Sequence, residues 1–403
     1  MLLILQKIKR SIELMINFLW NDLLWNLIIY RVFWLLSLFK FPNAYKKQSY
    51  FPNKRFKGAT RILLDQAINV IKFGRPCEYY FLYGFDGKRY KEMTDYIISY
   101  REFARYRDIN NLSDPHNATC ILRNKILFGM VANSLGINTP INIGVYFNEN
   151  VFIFDQKKHI QLSEFIRSGN YDIFAKDIYG EGGNGVMHLI ITSGQINIYK
   201  EGIHNITLEE LKEKLNGSSY LFQKTIDNQQ SIISSIYPKS LNTIRFTSIK
   251  DEKGKITFLQ PILRIGCCGM NVDNFTQGGI CVGFDVITGR LYKTGYYGHY
   301  KYGTTTNKHP DTDIDFSKII IPFIDEIKQQ VILFHSFLDV HSIGWDIALT
   351  EDGPKFIEGN ENWEIELPQM YCGKRAEFDK YFVKQSIKKK HISFSKADYV
   401  DKW

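Results

Sequence analysis

The chain is poor in cysteine, with six in 403 residues, and none stands in a Cys-x-x-Cys spacing. Cys267 and Cys268 are adjacent, which suits neither a zinc knuckle nor a disulfide framework and points to a reducing, cytoplasmic compartment. Eleven prolines and 29 glycines without a period exclude collagen and low-complexity chains. The nine histidines show no metal-ligand spacing, and His335 and His341 are six apart, so they do not share a helix face. No Gly-x-Ser-x-Gly elbow, Ser-His-Asp order, Walker A loop or Gly-x-Gly-x-x-Gly occurs. RNA-recognition signatures, zinc fingers and basic heptads are also missing, which sets nucleic acid aside as a partner. No uninterrupted apolar run is long enough to span a bilayer: residues 12–39 are rich in Leu, Ile, Phe and Trp, but Arg31, Asn17, Asn21, Asp22 and Asn26 break them up.

What is present describes a folded protein. Hydrophobic residues make up 44%, aromatics 15% and charged residues 23%, and the length suits two or three domains with large cores. The net charge of +9 permits a polyanionic substrate or an anionic membrane surface. Near the N-terminus Arg10, Glu13, Asn17 and Asn21 recur every three or four residues, forming the polar stripe of an amphipathic helix opposite Trp20, Trp25 and Trp34. Such a helix lies in a membrane interface with Lys7, Lys9 and Arg10 toward anionic headgroups, or packs on the protein's own core or a partner. No small-residue cleavage site follows it, so it does not read as a signal peptide.

The expected order is an amphipathic, membrane-proximal segment and linker over 1–60, a helical and mixed region over 61–118, lobes over 119–226 and 227–375, and a basic tail over 376–403 that includes Lys388, Lys389 and Lys390. Ala118–Leu135 has helical periodicity ending at Gly136. Val186–Thr192 and Gln195–Tyr199 flank Ser193-Gly194 as a hairpin, and Thr207 and Glu210 stand at capping-box spacing before Leu208–Leu215. Strands are expected at Tyr220–Ile226, Ile244–Ile249, Ile256–Ile265, Gly279–Val286 and Arg290–Lys293. A long helix is expected over Ile319–Val340, then a closing hairpin. The class is α+β, built largely on antiparallel sheets.

Chemistry gathers in three places. Lys176 ends a strand before Gly180-Glu181-Gly182-Gly183-Asn184-Gly185, an arrangement in which backbone N–H groups approach phosphate oxygens and Lys supplies charge; the alternative is a flexible turn with an incidental Lys. In the closing hairpin, a three-residue loop Glu351-Asp352-Gly353 pairs Thr350 with Pro354 and sets Asp346 opposite Glu358, with Asn360 two residues on. Two opposed carboxylates and an amide oxygen suit Mg²⁺ carrying nucleotide phosphates, or else form a solvated face. Between these lie Asn242, Arg245, Arg264, Asn271 and Asn274, whose guanidinium groups could clamp an anion or serve as structural ion pairs. Cys267-Cys268 reads as buried strand thiols more readily than as a reactive pair. The aromatic run Tyr296, Tyr297, His299, Tyr300 and Tyr302 is a sugar-stacking loop or a surface turn.

The order Lys125, Lys176 with its glycines, Gln223-Lys224, Arg245, Arg264, Asn274, Asp346 and Glu358-x-Asn360 resembles the ATP-grasp superfamily. In detail it resembles the sugar-transfer associated ATP-grasp family of polysaccharide gene clusters, over most of residues 75–370. The stretch Asn274-Phe-Thr-Gln-Gly278-Gly279 is similar to the Asn-x-x-x-Gly-Gly of glutamate-adding ATP-grasp ligases. The resemblance implies an ATP-grasp fold, two α+β lobes with antiparallel sheets clasping ATP. It implies that Lys125 and Lys176 contact nucleotide phosphates under the loop carrying Gly180, Gly182, Gly183 and Gly185, with Gln223, Lys224 and Ile226 at the adenine edge. Asp346, Glu358 and Asn360 would hold Mg²⁺, and Arg264, Arg245 and Asn274 would face the reacting group. Asn242 stands where the ligases often have Asp, and Asn360 runs on into Glu361-Asn362-Trp363 rather than a Pro-Gly turn.

The implied activity is ADP-forming carboxylate–amine ligation, joining a carboxylate-bearing sugar and an amine (an amino acid or amino sugar) for a bacterial surface polysaccharide such as a capsule. A phosphotransferase acting on a sugar hydroxyl needs the same nucleotide chemistry, and a membrane-associated scaffold with a decayed site needs none. The expected location is cytoplasmic, peripheral at the membrane through residues 1–40.

Overall fold

The computed structural model describes residues 28, 30–40, 49–112, 118–180, 185–199, 202–270, 273–299 and 303–387. The polar stripe from Arg10 to Asn21, Trp20 and Trp25, Asn271, Tyr300 and Tyr302, and Lys388–Lys390 lie outside the described residues. The chain divides into two units, Met1–Tyr106 with Glu364–Lys380 and Arg107–Trp363 with Tyr381–Trp403.

In the first unit, helices α1 (Tyr30–Lys40) and α2 (Ala59–Phe73) pack side by side. Arg31 donates through Nε to the carbonyl of Ile71 at 2.8 Å. Helix α2 starts after Gly58 and stops at Gly74, whose φ of 85° is the left-handed conformation that ends a helix.

The second unit holds two sheets. Helices α3 (Thr119–Arg123) and α4 (Lys125–Ser134) replace the single helix expected over 118–135. Asn124 breaks it with extended backbone and caps α4, its Oδ1 accepting from the N–H groups of Ile126 and Leu127 at 3.0 and 3.1 Å. That break puts Lys125 at the first helical position.

The first sheet comprises β1 (Asn142–Phe147), β2 (Asn150–Ile153), β3 (Lys158–Gln161), β4 (Tyr171–Asp177), β5 (Val186–Thr192), β6 (Gln195–Tyr199), β7 (Ile203–Ile206) and β8 (Tyr220–Lys224). Their spatial order is β3-β2-β1-β8-β4-β5-β6-β7, and neighbours run antiparallel. Thr192 pairs with Gln195, so Ser193-Gly194 is the expected two-residue turn, and both central residues take positive φ. Alternation sends Ile173 and Ala175 into a core with Phe165 of α5 (Leu162–Ser168) and Leu211 and Leu215 of α6 (Leu208–Leu215). Phe174 and Lys176 therefore point from the opposite face. Helix α6 opens with the expected capping box, Thr207 Oγ1 accepting from the Glu210 N–H at 3.1 Å while Glu210 Oε2 accepts from the Thr207 N–H at 2.7 Å.

The second sheet comprises β9 (Thr243–Lys250), β10 (Ile256–Phe258), β11 (Ile262–Ile265), β12 (Ile280–Gly283), β13 (Gly295–Tyr297), β14 (Thr305–Thr306), β15 (Ser342–Thr350) and β16 (Gly353–Asn360). Its order is β14-β13-β12-β11-β9-β15-β16, with β10 paired to β9. One face, with Ile244, Phe246, Trp345, Ile347 and Phe356, packs on Phe334 of α7 (Ile324–Phe337) and Phe128 of α4. Helix α7 is shorter than the expected 319–340, because Pro322 and the left-handed Phe323 delay its start. Arg290–Lys293 forms only isolated bridges around the left-handed Gly289 instead of a strand. Inside this core Trp345 Nε1 donates to Ser248 Oγ at 2.8 Å, and His335 lies 2.7 Å from the same hydroxyl through Nδ1. His335 Nε2 meets the Val340 carbonyl at 2.9 Å. A carbonyl only accepts, so Nε2 carries the proton and Nδ1 accepts from Ser248. Burial keeps this imidazole neutral, its pKa pushed down to about 3.

A candidate nucleotide cleft between two sheets of the second unit

The face of the second sheet opposite its core is charged. Asp346 on β15 pairs with Arg245 on β9 and, across the other edge, with Glu358 on β16. The opposition of the two carboxylates is as expected, but the route to it differs. Thr350 pairs with Gly353, so the turn has two residues, Glu351-Asp352, and not three. An unbulged ladder would then set Asp346 against Ile357. A bulge between Asp346 and Ile347 takes up one residue of β16 and restores the register. It also lets Phe356 enter the core beside Ile347 while Glu358, only two residues on, faces the site with Asp346.

Asp346 is gripped from two sides. Arg245 donates through Nε to Oδ1 at 2.6 Å and through Nη2 to Oδ2 at 3.2 Å, and Arg264 Nη2 lies 3.2 Å from Oδ2. Burial works against its charge, but the two guanidinium groups outweigh it and hold the carboxyl below the usual range. Glu358 goes the other way: burial and the neighbouring Asp346 raise it, against the pull of Lys125 and Lys176. Asn360 Nδ2 donates to Glu358 Oε1 at 3.3 Å. These oxygens fit a hard cation, because Glu358 is a buried carboxyl facing another carboxylate, with the Asn360 amide beside it.

Arg264 also donates to Thr243 Oγ1, from Nε at 3.1 Å and Nη2 at 2.6 Å. Thr243 passes the contact on, its hydroxyl and its N–H both donating to Asp273 Oδ2, the latter at 2.9 Å. Burial raises Asp273 despite the nearby Arg264. Thr243 and Asp273 were not candidates from sequence. The available signal was strand alternation, which places Thr243 on the face of Arg245, and an excess of site cations over carboxylates.

From the first sheet comes Lys176. Its ammonium donates to Gln223 Oε1 at 2.7 Å, and Gln223 Nε2 donates to Asn142 Oδ1 at 2.9 Å. Burial lowers the Lys176 pKa to about 8; Lys125 adds to the fall, while Glu358 and Asp346 oppose it. Lys125 donates from its ammonium to the Gly180 carbonyl, and its own N–H reaches the Ile178 carbonyl at 3.3 Å. Gly185 closes the loop at φ 68°, its carbonyl accepting from the Asp177 N–H at 3.0 Å. A Cβ at Gly185 would lie 2.8 Å from that of Asp177, so a side chain is excluded on two counts. Gly182 and Gly183 lie outside the described residues.

Lys125, Lys176, Gln223, Arg245, Arg264, Asp346, Glu358 and Asn360 are thus linked by contact or by charge. Other candidates stand differently. Lys224 is exposed and its ammonium lies 3.9 Å from Asp227, while Ile226 lies just past the end of β8. Asn274 caps the turn Phe275–Gln277, accepting from the Thr276 N–H at 3.1 Å and hydroxyl at 2.9 Å. Asn242 is buried and ties Ile233 and Tyr237 carbonyls, a structural place. Of the vicinal thiols Cys267 is buried and Cys268 exposed, at a left-handed φ of 55°, so only the first is the expected buried thiol.

A family model described as sugar-transfer associated ATP-grasp matches residues 104–378. The chain belongs to this family. Its fold is the ATP-grasp fold, which accords with ATP as cofactor. Among solved structures the chain is similar to the biotin carboxylase domain of 2-oxoglutarate carboxylase from Hydrogenobacter thermophilus, in complex with MgADP, ADP and bicarbonate. The identity there is 13% and the TM-score 0.37, over 69% of this chain and 48% of that one. It is also similar to D-alanine–D-alanine ligase from Bacillus anthracis, complexed with ATP, at 12% identity and TM-score 0.37 over 68% and 69%. Biotin carboxylase from Campylobacter jejuni is similar at 11% identity and TM-score 0.38 over 68% and 46%. The matched region thus spans about half the length of the two carboxylase chains. No curated protein matches the sequence.

Proposed function

We propose that this ATP-grasp protein is an ADP-forming carboxylate–amine ligase that works through an acyl phosphate. The observation that carries the reading is the meeting of Lys125 and Lys176 with Asp346, Glu358 and the paired Arg245 and Arg264. Lys125 and Lys176 would neutralise the phosphates of ATP, with Gly180, Gly182, Gly183 and Gly185 in the loop above them and Gln223, Lys224 and Ile226 toward the adenine. Asp346, Glu358 and Asn360 would hold Mg²⁺, which supplies charge neutralisation on the phosphate oxygens.

In the first step a substrate carboxylate oxygen attacks the γ-phosphorus and the bond to the β-phosphate oxygen breaks, giving an acyl phosphate and ADP. Arg264, held by Thr243, would meet the charge on the transferring group, with Arg245 and Asn274 beside it in role. An amine then attacks the carbonyl carbon, phosphate leaves, and the nitrogen gives up a proton to yield the amide. The acid is read as a carboxylate-bearing sugar, the amine as an amino acid or amino sugar, and the setting as a bacterial surface polysaccharide. Residues 1–40 would bring the chain to the cytoplasmic side of a membrane. The test supplies pooled sugar acids, ATP–Mg²⁺ and hydroxylamine as the amine. Acyl hydroxamate with matching ADP is expected; a phosphorylated sugar without hydroxamate would replace the ligase by a phosphotransferase.

A further inference from the structure

Helix α2 buries a mixed face, with Ile62 and Val70 inside beside polar residues, and leaves two large apolar side chains outside. Its buried positions include Asp65, Gln66 and Asn69, while Leu64 and Ile71, seven residues apart and so on one face, are 51% and 59% exposed. Two of these inward groups, Asp65 and Gln66, meet partners from outside the helix. The buried Lys57 ammonium donates to Asp65 Oδ2 and to the Phe85 carbonyl, both at 2.8 Å, and Tyr80 donates its hydroxyl to Asp65 Oδ2 at 2.6 Å. Gln66 exchanges two hydrogen bonds with the backbone of Cys77, at 3.1 and 2.8 Å. These bonds offset much of the cost of burying Asp65 and Gln66, while Leu64 and Ile71 stay on the exterior. The neighbouring α1 also has exposed apolar positions: Val32 and Leu36 are 48% and 60% exposed, and Ile28, before the helix, is 56% exposed. Four large aliphatic side chains on adjoining helices, with Ile28 before the first, are thus left in water, where each forgoes its burial free energy.

The surrounding charge says what covers them. The first 75 residues hold 13 Lys and Arg against three Asp and Glu, and one of the three is the buried Asp65. Residues 76–403 hold 38 against 39. The positive charge of the whole chain is therefore the charge of this region. An apolar face in so basic a stretch of chain matches an acidic bilayer surface, with acyl chains for the one and anionic headgroups for the other. Among the described residues no helix is long and apolar enough to cross a membrane, so the helices would lie along the surface.

We propose that α1 and α2 together form a lipid-docking face that seats this protein on an anionic membrane. The proposal deepens the expectation that residues 1–40 meet a membrane, adds α2 to it, and stands apart from the ATP chemistry. The test is flotation of the full chain with vesicles of phosphatidylcholine, with and without phosphatidylglycerol, in the absence of nucleotide. Co-flotation only with the anionic vesicles, reversed by salt, is expected. Leu64→Glu with Ile71→Glu should lower the bound fraction about tenfold or more, with the melting temperature unchanged. Flotation of that variant at the wild-type level would overturn the role of α2 and leave residues 1–40 as the sole anchor. Failure of the wild-type chain to float would overturn the membrane itself. A dimer in light scattering that the same variant splits would then give the face to a second copy.

Discussion

Lys176 stands where two opposing demands meet, a partly buried ammonium whose charge the proposed phosphate contact would use. Its pKa of about 8 means the free protein loses that charge as pH rises through 8, well before an ordinary lysine. Bound phosphates would favour the charged form, so nucleotide binding should take up a proton between about pH 8 and 10 and weaken across that window. Calorimetry in buffers of different ionisation enthalpy reads this directly, and Lys176→Met should remove the uptake. Asp346→Asn is expected to abolish ATP turnover while leaving the melting temperature near that of wild type; full turnover in this variant would sink the assignment of Asp346 to the metal. Both residues were legible from sequence, the lysine from the glycines after it and the aspartate from its place in a hairpin. Asp273 and Thr243 were not, because a contact between residues thirty apart depends on how β9 and the turn after β11 come together.

At the scale of elements, small irregularities position the chemistry. The break at Asn124 turns one periodic helical stretch into two and presents Lys125 at the start of the second. Asn124→Ala should cost about 1 kcal/mol and raise the KM for ATP several-fold by loosening that first turn; an unchanged KM with lowered stability would leave the cap a purely structural role. The bulge in β16 has the same character. Reading the hairpin with a three-residue turn reached the right partner for Asp346, but the actual turn is shorter and the extra residue sits in the strand. Alternation alone could not reveal it, because a bulge changes which face a side chain takes without changing composition. The polar residues buried by α2 were hidden for a related reason: nothing in the sequence sets Lys57, Tyr80 and Cys77 beside Asp65 and Gln66.

For the molecule as a whole, the α+β class, the antiparallel sheets and the family were legible, since they follow from strand periodicity and the order of site residues. Lengths of α7 and of the strands after β11 were less so, because Pro322 and left-handed residues override local periodicity. Binding of ATP–Mg²⁺ to the folded state should stabilise it by about 2.7 kcal/mol at a hundredfold excess over Kd, read as a rise in melting temperature that Asp346→Asn largely loses. The central claim is that the cleft joins an acid to an amine. The most direct test incubates the chain with ATP, Mg²⁺ and pooled uronic acids, amino sugars and amino acids, following ADP and weighing the products. The account predicts ADP in step with a product equal to acid plus amine less one water. ADP accompanied instead by a phosphorylated sugar, with no condensed product in any pool, would contradict it.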